Sequence, residues 1–250
     1  MYQKIAMNTK MVFKKPIQKI IFVSAADSSH FLSLCQLINS LQVHEKSSTI
    51  IVYDLGFKPN QIDILNKDFK NVILRKFQFE NYPDYFNIKK NAGEYAWKPV
   101  IIHSVFNEFK SNVCWMDAGN VVHKPLKKVR RVIETLGFYS PQSNGNIEDW
   151  THPKTLELLL ESNDQSFLKK KNLNGACIAL NYQNTKTRKL VQLWSKYAQI
   201  KKYIAPEGSS RDNHRQDQAV LTVLAYQIIP EAVNVLTKKK LGFKIHQDCD

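Results

Sequence analysis

Apolar residues in this chain recur at two spacings, and the order in which the spacings alternate lays out a fold. Residues 17–24 (IQKIIFVS) are a near-continuous apolar run, suited to a strand buried on both faces. Ala25, Ala26, Asp27 and Ser28 break it with small residues and then helix-capping types. Phe31, Leu34, Cys35, Ile38 and Leu41 follow at helical spacing. Residues 50–55 (IIVYDL) are a second strand carrying an acid near its end, and Pro59 opens a short helix bearing Ile62 and Leu65. Residues 72–79 are a third strand, with Arg75 and Lys76 placing it nearer an edge. This β-α-β-α-β order predicts a parallel, right-handed, doubly wound sheet.

Residues 80–94 (ENYPDYFNIKKNAGE) read as a long loop near function. Pro99 then starts a helix with Ile102, Val105, Phe106 and Phe109 inward. Trp97 and Lys98 fall just before its first turn, where free backbone N–H groups welcome anions. A buried strand ends at Asp117, and Pro125 begins a helix on Leu126, Val129, Ile133 and Leu136 that Gly137 stops. Residues 138–140 are a short strand, and 141–147 (PQSNGNI) a turn-rich loop. Pro153 opens an amphipathic helix through Leu156, Leu159 and Leu160. Residues 175–181 (GACIALN) are another buried strand, and Leu190, Trp194 and Tyr197 mark a long helix. The polar segment 201–215 predicts a mobile loop, residues 216–226 a helix, and the tail shows no periodicity. With no repeat and no linker, residues 1–250 are expected to form a single domain, its core over about 17–226 and a tail over 227–250.

Composition narrows the class. The chain is 43% hydrophobic and 11% aromatic, which is that of a packed globular protein rather than a disordered one. No apolar run approaches the roughly 18 residues of a membrane span, and the start has no secretory signal pattern. Cys35, Cys114, Cys177 and Cys249 lie far apart without a CxxC, which reads as reduced thiols in a cytoplasmic protein. The net charge of +14 and the lysine clusters at 14–15, 127–128, 169–171, 201–202 and 238–240 would attract phosphate-rich partners. A nucleic-acid-binding module would gather its basic residues and aromatics into one stripe; here the lysines are scattered over many elements. A nicotinamide-type oxidoreductase is disfavoured because no GxGxxG follows the first strand.

The stretch around which candidate chemistry gathers is Val113-Cys114-Trp115-Met116-Asp117-Ala118-Gly119-Asn120-Val121-Val122. It reads as a buried strand that delivers one acid to its carboxyl end, followed by backbone thin enough for a ligand to approach. Ligands collect at such strand ends in open α/β sheets. The plain alternatives are an acid capping a turn at Asp117, an N-cap at Asp27, and a first-turn acid on a helix dipole at Asp217. His152 and His214 flank loops, where a lone histidine is more often structural.

Four segments in order resemble the GT-A fold glycosyltransferases, nearest to the glycogenin and lipopolysaccharide-galactosyltransferase group. They are Val23-Ser24-Ala25-Ala26-Asp27, Asp117-Ala118-Gly119-Asn120-Val121-Val122, Asn174 to Asn181, and the helix-opening Asp217-Gln218. The resemblance covers residues 17 to about 226. It implies an α/β GT-A fold, with a mostly parallel central sheet and helices on both faces. It also implies transfer of a sugar from a nucleotide diphosphate, a UDP-sugar by the nearest relatives, to a glycan or lipid-linked acceptor, with retention of anomeric configuration.

By position, the resemblance implies that Ala25, Ala26 and Asp27 hold the base and ribose. Lys98 would sit by the sugar nucleotide, and Asp117, Ala118 and Gly119 by the diphosphate. Asn174 and Gly175 would border the transferred sugar, with Asp217 and Gln218 on its reacting face. A Mn²⁺ or Mg²⁺ ion is expected on Asp117. The family's second metal-binding aspartate falls on Gly119, however, so a further ligand must come from elsewhere, His246 being the nearest candidate with Asp248 beside it. If neither reached, the cationic work would fall to Lys98 or Arg215. A catalytically inactive sugar-nucleotide-binding protein would explain Gly119 as well. The basic surface suggests peripheral contact with an anionic inner membrane face.

Overall fold

The computed structural model describes residues 19–160 and 165–250, so positions 17 and 18 of the expected first strand lie outside the described residues. Strand β1 (Ile20–Ala26) is buried along its whole length and runs two residues further than its apolar pattern, through Ala25 and Ala26. Helix α1 (Phe31–His44) buries Phe31, Leu34, Leu37, Ile38 and Leu41. Strand β2 (Ile50–Asp54), helix α2 (Pro59–Asp68) and strand β3 (Val72–Lys76) complete the first half; β3 is nowhere fully buried, with Ile73 and Lys76 exposed. Helix α3 (Trp97–Phe109) leads to β4 (Asn112–Met116) and the two-residue β5 (Val121–Val122).

Helix α4 (Lys127–Leu136) ends at Gly137 (φ +82°), after which β6 (Phe138–Tyr139) is short. Residues 142–146, expected as loop, pair instead: β7 (Gln142–Asn146) runs antiparallel to β8 (Lys171–Leu173). Their polar side chains suit a two-stranded ribbon whose outer strand is part exposed, which alternation of apolar residues does not report. Between them lie the short helices α5 (Ile147–Trp150), α6 (Pro153–Leu159) and α7 (Gln165–Leu168). Strand β9 (Cys177–Leu180) is followed by α8 (Thr185–Ala198). Residues 201–215 open with a helical turn, α9 (Lys201–Ile204), and α10 (Gln216–Ile228) and α11 (Pro230–Val233) follow. The tail is not without structure, since β10 (Phe243–Lys244) pairs antiparallel with β5.

The central sheet has the order β3-β2-β1-β4-β9-β6. Strands β1 to β4 are mutually parallel, as the β-α-β-α-β reading requires. Strand β9 departs from the parallel expectation: it runs antiparallel to both β4 and β6. Reversal places the start of β9 beside the end of β4, with Met116 opposite Cys177, and Asp117 N–H donating to Ala176 O at 2.9 Å. The sheet is mixed α/β, mostly parallel and flanked by helices. Trp115 and Trp194 are the largest side chains wholly enclosed in its core.

Candidate functional site

At the carboxyl edge of β1 and β4 opens a cavity of about 860 Å³, a size within the usual range for small-molecule sites. Ala25, Ala26, Asp27, Lys98, Asp117, Ala118, Gly119, Asn174, Gly175, Asp217, Gln218 and His246 all line it. Residues drawn from five separate sequence segments and the tail thus share one cavity.

Its floor is an enclosed charge cluster. Lys98 Nζ lies 3.1 Å from Asp117 Oδ1 and 3.3 Å from Asp217 Oδ2, and donates to Gly175 O at 3.3 Å. The Lys98 side chain is only 5% exposed. It therefore does not serve as a free anion receptor ahead of the helix. Helix α3 begins at Trp97, two residues earlier than Pro99 suggests, and Lys98 is carried inside its first turn with its charge already engaged. Burial alone would depress the Lys98 ammonium, but the carboxylates of Asp117 and Asp217 more than compensate and raise it. Tyr95 and Trp115 rings lie 5.8 and 5.6 Å from Nζ, adding two π faces to its surroundings.

The two acids differ. Asp117 is 40% exposed and takes a 2.6 Å hydrogen bond from Trp115 Nε1, so one oxygen is tied to the wall while the side chain still opens to the cavity. Asp217 is 5% exposed. Desolvation pushes its carboxyl up to about 6, Lys98 opposing and Asp117 assisting the rise. Its backbone is pinned by Trp194 Nε1 donating to Asp217 O at 2.8 Å. The residue before it, Gln216, is left-handed at φ +37°, a strained turn of the kind found where a side chain must be aimed.

The opposite lip is backbone. Gly175 N–H donates to Gln218 Oε1 (3.2 Å), Ala176 N–H to Asn174 Oδ1 (2.8 Å), and Asn120 Nδ2 to Ala176 O (2.6 Å). Asn120 is fully buried, and its Oδ1 has no hydrogen-bond partner among the described residues. At the far end, Asp27 does cap a turn: Oδ1 accepts from Ser29 and His30 N–H and meets His30 Nδ1 at 2.9 Å. Burial raises its carboxyl, but these Ser29 and His30 contacts prevail and hold it below the ordinary value.

Tyr95 and Arg211 line the cavity but were not singled out by sequence pattern. Residues 91–95 all have φ between +47° and +63°, a left-handed turn that costs roughly 1–2 kcal/mol per non-glycine residue. A Cβ at Gly93 would collide with the Phe86 carbonyl, so glycine is required there. This turn brings Tyr95 to the wall and lets Trp97 Nε1 donate to Ala92 O at 3.0 Å. Arg211, Arg215, Lys238 and Lys240 form a basic rim; Arg215 lies 4.1 Å over the Trp150 ring, and Lys238 Nζ donates to Asn144 Oδ1 at 2.7 Å. His152 and His214 belong to the framework. His214 is fully buried, accepts from His152 N–H and contacts Ile204 O, and burial lowers it to about 4.

Among the described residues, no three of His, Cys, Asp and Glu gather as a metal-binding group. None of the described helices is long and apolar enough to cross a membrane.

Residues 3–103 match the model of a family described as a protein of unknown function, DUF1647. No curated protein matches. Solved structures with similar folds include the bifunctional glycosyltransferase WbbM (17% identity, TM-score 0.53). There the alignment covers 87% of this chain but only 38% of the other. The galactosyltransferase LgtC, in complex with donor and acceptor sugar analogues, is 13% identical with TM-score 0.52, over 90% of this chain and 86% of LgtC. Mouse xyloside xylosyltransferase 1 is 9% identical with TM-score 0.53, over 93% of this chain and 98% of its own. At these identities the likeness concerns the fold, and the fold is that of the GT-A glycosyltransferases expected from the four motifs.

Proposed function

We propose that this protein transfers a sugar from a nucleotide diphosphate, best fitted by a UDP-sugar, to a glycan or lipid-linked acceptor. The observation that carries the reading is the Lys98–Asp117–Asp217 cluster at the strand ends of a cavity large enough for such a donor. In this reading the base and ribose lie against Ala25, Ala26 and Asp27, where small side chains leave room and an ionised carboxylate can accept from hydroxyl groups. The diphosphate lies over Asp117, Ala118 and Gly119, and the sugar between Asn174, Gly175 and Gln218.

Glycosyl transfer passes through an oxocarbenium-like state while negative charge builds on the departing diphosphate. A divalent cation, Mn²⁺ or Mg²⁺, supplies charge neutralisation at that leaving group when bound. Asp117 would hold it on its open side, and His246 lines the same cavity. The fit rests on the thin backbone at Gly119 and the unpaired Asn120 Oδ1, with Mg²⁺-type sites needing only one or two carboxylates besides phosphate and water. Lys98, 3.1 Å from its Oδ1, holds Asp117 in orientation. Asp217, ionised above about pH 6, faces the sugar from a desolvated position where its charge can stabilise developing positive charge or accept an acceptor proton.

A panel of nucleotide sugars, tested for hydrolysis and transfer with and without Mn²⁺, tests this directly. Turnover of one donor is the expected result, lost about 100-fold or more in Asp117→Asn, in the range seen when a charge-stabilising group is removed; near-normal turnover would take Asp117 out of the mechanism. Gly119 favours a second reading, a sugar-nucleotide-binding protein without turnover, and tight donor binding with neither hydrolysis nor transfer would select it. The +14 charge supports peripheral binding to anionic membranes; failure to bind acidic vesicles at low salt would count against that placement.

A further inference from the structure

The place where the family motif would carry its second acid is occupied from the other end of the chain. A Cβ built on Gly119 would collide with the Asp248 carboxylate, lying 2.6 Å from its Oδ2 and 2.7 Å from its Cγ. A carboxylate therefore stands against the motif after all, supplied by a residue far along the sequence. We infer that Asp248 is the second acidic ligand of the divalent-cation site. On this inference the site is complete only while the tail is docked.

Three observations carry this. Asp248 and Asp117 line one cavity together with the fully buried Asn120, whose Oδ1 has no partner among the described residues. An orphan buried oxygen and two carboxylates in the lining of one cavity are an oxygen-rich set suited to a hard cation. Next, Lys98 is already engaged by Asp117, Asp217 and Gly175 O, and Asp248 forms no ion pair among the described residues. A carboxylate placed beside a bound diphosphate without a cation would repel it. Finally, the tail is fixed on both sides of Asp248. Before it, Phe243 and Lys244 pair with Val122 and Val121, and Gln247 N–H donates to Gly119 O at 2.7 Å. After it, Asp250 accepts from Leu32 and Ser33 N–H at the first turn of α1 (2.7 and 3.2 Å), and Cys249 N–H donates to Ser33 Oγ at 3.0 Å.

This inference rests on the sugar-nucleotide reading above, and its test separates the two. Mn²⁺ binding to the full chain, with UDP saturating, is followed by electron paramagnetic resonance, with circular dichroism to show that each variant is folded. Asp248→Asn should weaken Mn²⁺ at least tenfold. Gly119→Asp alone should also weaken it, because the new side chain meets Asp248 and displaces the tail. The exchange of both, Gly119→Asp with Asp248→Gly, should return affinity to within about threefold of the parent. Mn²⁺ should in addition slow proteolysis of the tail in the parent and not in Asp248→Asn. Unchanged Mn²⁺ affinity in Asp248→Asn, or an exchange variant as weak as Asp248→Gly, overturns the inference. UDP binding without any Mn²⁺ uptake overturns it while leaving the sugar-nucleotide reading in place. No UDP binding at all removes both.

Discussion

Asp117 and Asp248 reach the same cavity by opposite routes. Asp117 leaves the end of β4, a strand buried at every position and paired on both sides, and its side chain is braced by Trp115 and Lys98. Asp248 arrives on a short strap held by one two-residue ribbon and a few hydrogen bonds to α1. The contrast teaches that one site can combine a group fixed by the core with a group fixed by docking, and that the two respond differently to substitution. Damage to the first propagates into folding. Damage to the second stays local, because strap bonds are few and only partly buried.

The largest expected effect breaks the core side of this contrast. Lys98→Met removes the cation between Asp117 and Asp217 and leaves an enclosed carboxylate without its partner, which costs about 3–5 kcal/mol. Urea unfolding at pH 8 should show that loss, and a smaller one at pH 5, where Asp217 can take up a proton. A variant as stable as the parent at both pH values would show that the cluster is not a structural element.

The next effect sharpens the difference between the acids through pH. Asp217 holds its proton to about pH 6 when folded, against an ordinary value of 3.8. Between these values the folded state binds more protons than the unfolded one, so the contribution of this group to stability falls as pH rises through that window. The fall is on the order of 2–3 kcal/mol. Asp217→Asn should flatten the stability profile between about pH 4 and 6, measured by thermal unfolding; a profile parallel to the parent's would refute the assignment. The smallest effect concerns the strap. Asp250→Ala removes side-chain acceptors from the first turn of α1, worth about 0.5–2 kcal/mol as helix caps go. It should speed proteolytic cleavage near residue 245 while leaving global unfolding nearly unchanged.

What could be read from sequence follows the same division. The alternation of β1, α1, β2, α2 and β3 was legible because each element's burial is encoded in neighbouring residues, and Asp117 stood out as an acid ending an apolar run. The direction of β9 was not legible: GACIALN is equally apolar whichever way it runs, and only its pairing with β4 and β6 decides. The β7–β8 ribbon was hidden for a related reason, since Gln142 to Asn146 carry no apolar alternation. The contact of Lys98 with Asp217 was not legible, because Asp217, more than a hundred positions away, enters its environment only after folding. Glycine where the motif suggests an acid was a visible anomaly, with Asp248 beside the candidate His246, but the contact of Gly119 with Asp248 emerges only in the fold.

The strap has one more consequence, in the order of events during synthesis. Asp250 grips helix α1 across 218 positions of sequence. While the ribosome is still adding residues, a nascent chain can already have made the wall that carries Asp117. It has no counterpart to that wall until the segment bearing Asp248 has emerged and closed over it.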